Sequence, residues 1–247
     1  MVALFLEDAG RLHDGTEALS VGAGNERILF WLANRVGRIV ATDVYGSGPF
    51  AEREAHPSML EDPRAHSLYP YREDRLEVLW MDGRRLDFPD ESFDVVFSVS
   101  SIEHFGSHED VSRAAREIGR VLRPGGHAVV VTECFVRLHP LNTAPVEFAL
   151  RLATLGYKWR SASPRRRATL AEVFTPRELE RLIVEPSGLR LLQPLDLTVS
   201  PESWENVTRA TPDGGLVSRT GELYPLVLMQ GGRSAFTSVL LPLEKPV

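Results

Sequence analysis

Three short stretches carry residue types that can hold a nucleotide-like ligand. The first is Gly22-Ala23-Gly24, which follows the apolar run Ala18 to Val21. A helical pattern comes next, with Ile28, Leu29, Leu32 and Ala33 on one face. Glycines let the backbone approach a ligand closely, and the start of a helix offers free N–H groups. The second is Asp43, at the end of the apolar run Arg38 to Thr42 and 21 residues after Gly22. A carboxylate at that distance from a glycine turn, on the next strand, can accept both hydrogen bonds of a ribose diol. The third is Asp82, just past Leu76 to Trp80. A carboxylate there can accept the exocyclic N–H of an adenine, while a neighbouring backbone N–H serves a ring nitrogen. Each piece alone also fits an ordinary turn or helix cap. Their linked spacing is what points to a ligand.

These residues need elements that bring them to one edge. Ala18 to Val21, Arg38 to Thr42, Leu76 to Trp80, Phe93 to Ser98 and His127 to Thr132 read as strands. The near-continuous apolar character of Phe93 to Ser98 suits a strand covered on both faces. Glu109 to Leu122 is the clearest helix, with Val111, Ala114, Ala115, Ile118, Val121 and Leu122 at three- and four-residue spacing. Arg123-Pro124-Gly125-Gly126 reads as its stop. Strands alternating with helices predict a parallel α/β sheet. Gly22, Asp43 and Asp82 then share the carboxyl ends of its strands, where open α/β sheets bind ligands.

The remaining chain is patterned more weakly. Val2 to Leu12 reads as a short helix. It starts almost at Met1, which leaves a truncated leader as one reading. Val2 to Leu6 is too short for a signal peptide or a membrane span. Val44 to Arg75 is loop-rich, with one short helix at Pro57 to Glu61, and such segments are often functional. Tyr69 and Tyr71 within it read as surface packing in preference to substrate contacts. Residues 135–170 break the alternation and read as a lid insertion in a single domain of residues 1–247. They hold a helix at Val146 to Leu155, aromatic surface in Phe148, Tyr157 and Trp159, and the basic run Arg165-Arg166-Arg167. An oligomer contact is the other reading of that segment. Thr175-Pro176-Arg177-Glu178 is a capping box opening a helix through Ile183. Leu189 to Leu195 and Phe236 to Leu243 read as strands, Ser200 to Glu222 as irregular, and Tyr224 to Gln230 as a short strand or packed loop.

Composition sets bounds on partners. The 247 residues are 43% hydrophobic and 25% charged, the balance of a water-soluble globular protein. A net charge of −6 argues against a nucleic-acid surface, which needs a basic face. The lone cysteine, Cys134, forms no internal disulfide and suits a reducing cytoplasm. The expectation is a cytoplasmic monomer or homodimer acting on a small molecule, away from nucleic acid and membrane.

The stretches VGAGNE, ATD, MDGRRLDFPDESFDVV, SSIEHF and REIGRVLRPGGHAVVV together resemble the class I S-adenosylmethionine-dependent methyltransferases. The subgroup they resemble is the small-molecule type 11 group, over roughly Leu19 to Thr132. The resemblance implies a Rossmann-like seven-stranded, mostly parallel sheet with helices on both faces and an antiparallel last strand near Phe236 to Leu243. It implies S-adenosylmethionine as cofactor and a small-molecule or glycan-type acceptor. It places the methionine moiety beside Gly22, Ala23 and Gly24, the ribose on Asp43, and the adenine on Asp82 and Gly83. Ser98 to Ser100 would line the cofactor and face the acceptor.

Two positions depart from the family pattern. Ser20 stands where an acidic residue is usual; it can hydrogen-bond but cannot neutralise the cofactor's amino group. Glu26 replaces the third glycine, where it either crowds the loop or takes over the missing charge. For a hydroxyl acceptor a base helps remove the proton. His104 and His139 are candidates, with packing or capping the competing role for His104, and Glu133 is a further acceptor-facing residue. An NAD-dependent oxidoreductase is an alternative that also uses a glycine turn and an acidic residue, but Glu26 would repel a pyrophosphate. A non-catalytic fold relative that binds a partner is the other, and Ser20 and Glu26 are what favour it.

Overall fold

The computed structural model describes residues 1–138, 152–153, 172–210, 216–218, 228–231 and 234–247. The chain divides into two compact units. One is Met1–Thr132 with Glu180–Pro194 and Leu240–Val247, and the other is Glu133–Leu179 with Leu195–Val239.

The first unit is an α/β sheet. Strands β1 (Glu17–Val21), β2 (Arg38–Asp43), β3 (Leu76–Trp80), β4 (Phe93–Val99) and β5 (Leu122–Arg137) lie in the order β3-β2-β1-β4-β5. All four pairings are parallel. β1 is central: Leu19 faces Val40 on one side and Val96 on the other. That explains its unbroken apolar character, since Ala18, Leu19 and Val21 are all buried. Helix α2 (Arg27–Ala33) buries Leu29, Phe30, Leu32 and Ala33 in the same core. Helix α4 (His108–Val121) follows α1 (Val2–Asp8) and α3 (Ser58–Glu61) in chain order. Ser107 and Asp110 cap it reciprocally, and it buries Val111, Ala114, Ala115, Ile118 and Val121.

The sequence places β5 at His127 to Thr132, yet the strand begins at Leu122, directly after α4. The reason is long-range pairing. Gly125 donates to the Lys245 carbonyl at 2.8 Å, and Lys245 donates back to Gly126 at 3.0 Å. Lys245 lies just past β10 (Ser234–Glu244), which neighbours β5 and pairs antiparallel with the two-residue β6 (Arg190–Leu191). Counting β5 and β10 in part, the first unit holds seven strands, mostly parallel with an antiparallel last strand, as the resemblance implies, but the sheet they belong to has ten strands among the described residues, three more than expected.

In the second unit β10 continues at its start into antiparallel pairing with β9 (Met229–Gly231). β7 (Thr208–Ala210) pairs with β9 and with β8 (Leu216–Ser218), in a stretch that reads as irregular from sequence. Thr175 opens the next helix as its capping pattern predicts: its N–H and hydroxyl both donate to Glu178 at 2.8 Å. The helix runs Pro176–Leu179, widens to a π segment at Glu180–Val184, and ends at Glu185–Ser187. Most of residues 135–170, with Phe148, Tyr157, Trp159, the arginine run and His139, lies outside the described residues. Among the described residues no helix is long and apolar enough to cross a membrane.

Candidate functional site

The glycine turn leaves β1 and must fold back over the end of β2. The N–H groups of Gly22 and Ala23 both donate to the Thr42 carbonyl, at 2.9 and 3.0 Å. Gly22 has a φ of +69°, and a Cβ there would lie 2.6 Å from Ser101 Cβ and 3.0 Å from the Phe105 ring. Only glycine fits both the backbone and the space. Ser101 locks the other side of the turn by donating to the Gly22 carbonyl at 2.6 Å.

Asp43 closes the end of β2. One of its carboxylate oxygens accepts from Gly24 N–H at 2.8 Å and the other from Val44 N–H at 2.7 Å. Burial pushes its pKa above the usual carboxylate range, and these two bonds offset part of the rise. Each oxygen keeps a second acceptor site, enough for a diol.

A cavity of about 350 Å³ opens against this turn. Its lining brings together Gly22, Ala23, Gly24, Asp43, Ser100 and His104 from the sequence reading. Ser20 and Ser98 are not in the lining; both are fully buried in their strands, and Ser98 Oγ has no hydrogen-bond partner among the described residues. Asp82 and Gly83 are not in it either. Asp82 is held by Arg84, with a contact of 2.6 Å that pulls its pKa down. Gly83 packs so tightly that a Cβ would lie 2.7 Å from both Phe105 and Val21. Neither Tyr69 nor Tyr71 is in the lining: Tyr69 is exposed and donates to the Arg27 carbonyl at 2.8 Å, and Tyr71 packs on the core with its ring 5.0 Å from that of Phe30.

The loop after β2 supplies residues the sequence reading did not single out. Phe50 and Glu54 line the cavity, and the Phe50 ring sits 4.7 Å from the His104 ring. Gly46 N–H to the Ala55 carbonyl and Ala55 N–H to the Phe50 carbonyl hold the loop in place. Tyr45 ties it to the turn by donating to the Gly24 carbonyl at 2.9 Å. Glu133 lies in the second unit, where it accepts from Ser238 at 3.1 Å.

The charge of the cavity is one-sided. Among the described residues lining it, Glu26, Asp43 and Glu54 are acidic and none is Lys or Arg. Burial, then the charge of Asp43, raises the Glu26 pKa to about 8. Such a donor set suits a ligand carrying positive charge and opposes a pyrophosphate. Among the described residues no group of His, Cys, Asp and Glu can hold a metal ion.

A parallel sheet with a glycine cradle and an acidic β2 terminus defines a Rossmann-like cofactor domain. Comparison with known proteins identifies which. Residues 19–130 match the family described as "Methyltransferase domain", type 11. This stretch belongs to the class I S-adenosylmethionine-dependent methyltransferases, a family whose cofactor is S-adenosylmethionine. Methyltransferase GfsG of Streptomyces halstedii is 31% identical over 142 residues, 57% of this chain and 46% of the relative. The 27-O-demethylrifamycin SV methyltransferase of Amycolatopsis mediterranei is 32% identical over 116 residues, 47% of this chain and 38% of the relative. Further matches include the mouse probable tRNA methyltransferase 9B. This chain thus spans less than half of the curated relatives named here. The fold is similar to that of the YcgJ protein of Bacillus subtilis, with a TM-score of 0.56, 16% identity, and coverage of 100% of this chain and 98% of that one.

Proposed function

We propose that the protein transfers the methyl group of S-adenosylmethionine to a small-molecule acceptor, glycan-type acceptors included. The observation that carries this reading is the acidic cavity against the glycine cradle, which lacks Lys and Arg among its described lining residues. When bound, S-adenosylmethionine supplies an electrophilic methyl on a cationic sulfur, so the protein mainly binds, orients and excludes water. Gly22 to Gly24 would hold the methionine moiety and Asp43 the ribose. Asp82 and Gly83 are the residues we assign to the adenine side, and Val99 and Ser100, but not the buried Ser98, to the cofactor and acceptor side. For a hydroxyl acceptor, we assign the removal of its proton to His104, a lining residue of the cavity. A small-molecule acceptor is favoured over RNA by the net charge of −6 and by the rifamycin-class substrate named for one relative.

Calorimetric titration with S-adenosylhomocysteine, S-adenosylmethionine and NAD tests the reading. Binding of the first two and not of NAD supports it. Binding of NAD alone would favour the oxidoreductase reading, and binding of none would favour a non-catalytic fold relative.

A further inference from the structure

We propose that Glu26 is the counter-charge for the α-ammonium group of the cofactor, a role that Ser20 cannot fill from within β1. The inference rests on the S-adenosylmethionine reading of the cavity and adds a specific residue to it. Ser20 is fully buried in the central strand and is not among the lining residues. Glu26 is in the lining, two residues past Gly24. It is the N-cap of α2, with extended backbone, but its side chain makes no capping hydrogen bond. Nor does it form an ion pair among the described residues, and Asp43 is the charge that acts on it most strongly. A half-buried carboxylate spent neither on the helix nor on a cation is costly to keep unless a ligand uses it.

The charges around Glu26 fix the direction of proton exchange on binding. Asp43 at the end of β2 and Tyr45 just after it interact with Glu26, and Glu54 from the following loop and His104 beyond β4 share its cavity. Asp43 and Glu54 bring negative charge to the cavity, and its described lining residues include no Lys or Arg. A raised pKa of about 8 leaves Glu26 largely protonated at neutral pH in the free protein. An ammonium beside it stabilises the ionised form, so binding drives the proton off. The α-ammonium is common to S-adenosylmethionine and S-adenosylhomocysteine and absent from 5′-methylthioadenosine, which retains the adenosine.

The test is calorimetric titration of the parent and Glu26→Gln at pH 7, in two buffers of different ionisation enthalpy. For the parent we expect release of about one proton on binding S-adenosylhomocysteine. Glu26→Gln should abolish that release and weaken S-adenosylhomocysteine and S-adenosylmethionine alike by about tenfold or more. Its affinity for 5′-methylthioadenosine should stay at the parent value, which also reports an intact cavity. Three results would each overturn the assignment: unchanged S-adenosylhomocysteine affinity with proton release retained; equal loss for 5′-methylthioadenosine; or loss confined to S-adenosylmethionine, which would place Glu26 against the sulfonium. If the parent binds neither cofactor form, the function proposed above fails instead, and that outcome is visible before any variant is made.

Discussion

Replacing Gly22 with Ala separates two costs that the cradle combines. One is backbone strain, because Gly22 sits at a φ of +69°. Holding an L-residue with a Cβ in the left-handed region costs roughly 1–2 kcal/mol. The other is overlap: the added Cβ would lie 2.6 Å from Ser101 Cβ, an atom fixed to backbone and unable to swing away. Overpacking of that kind costs about 1–3 kcal/mol. Alanine recovers about 0.4–1 kcal/mol by restricting the unfolded chain. Gly22→Ala should therefore destabilise by about 1–4.6 kcal/mol after that offset. Two controls isolate the parts. Gly10 has a φ of +65° with nothing within 4 Å of its Cβ position, so Gly10→Ala reports strain alone. Gly83 lacks a positive φ but its Cβ would meet Phe105 and Val21 at 2.7 Å, so Gly83→Ala reports overlap alone. Urea denaturation followed by far-ultraviolet circular dichroism gives the three midpoints and slopes. Gly22→Ala should fall furthest, near the sum of the controls. A Gly22→Ala protein no less stable than Gly10→Ala would refute the close-approach argument.

Three further outcomes are expected. Asp43→Asn keeps an acceptor for Gly24 or Val44 N–H but loses the carboxylate, so S-adenosylhomocysteine should bind at least about tenfold more weakly with the fold retained, as one or two charge-assisted bonds of about 1.5–3 kcal/mol are lost; unchanged affinity by calorimetry would remove Asp43 from the site. Glu26 has a folded pKa raised to about 8 from 4.5, so its unfolded form ionises first and the favourable contribution present below pH 4.5 is lost as pH climbs toward 8. Glu26→Gln should match the parent near pH 4 and exceed it at pH 8 on the order of 3 kcal/mol in denaturant titrations of the ligand-free protein; no pH-dependent difference would mean the carboxyl is well solvated. Thr175→Ala removes the capping hydroxyl that both donates to and accepts from Glu178, and should cost about 1 kcal/mol in the same titrations without changing cofactor affinity.

Local pattern carried far where neighbours in sequence are neighbours in space. Leu76–Trp80 has the same bounds in the sequence reading and the structure, and α4 is displaced by one residue. Both depend on periodicity within the segment. Arg123-Pro124-Gly125-Gly126 misleads because the partner that extends the strand, Lys245, is more than a hundred residues away. Leu189 to Leu195 shortens to Arg190–Leu191, which pairs with Glu244 and Leu243; beyond it Leu192 N–H still donates to the Pro242 carbonyl at 2.8 Å, and Pro194 has no N–H to give. The site divides in the same way. Gly22 to Gly24 and Asp43 are legible because strand ends fix where they lie. Phe50 and Glu54 are not, because hydrogen bonds between Gly46 and Ala55 and between Ala55 and Phe50 set the loop, and no spacing rule encodes those. Glu26 falls between. Its type stands out as a departure from the glycine pattern, but its desolvation and its opposition to Asp43 are properties of the folded cavity. A family pattern locates charge along the chain, whereas binding requires charge at a place. Here the strand position two residues before Gly22 is sealed in the sheet, and the loop position two residues after Gly24 opens on the cavity, so a carboxylate moved from the first to the second can serve the same ligand group.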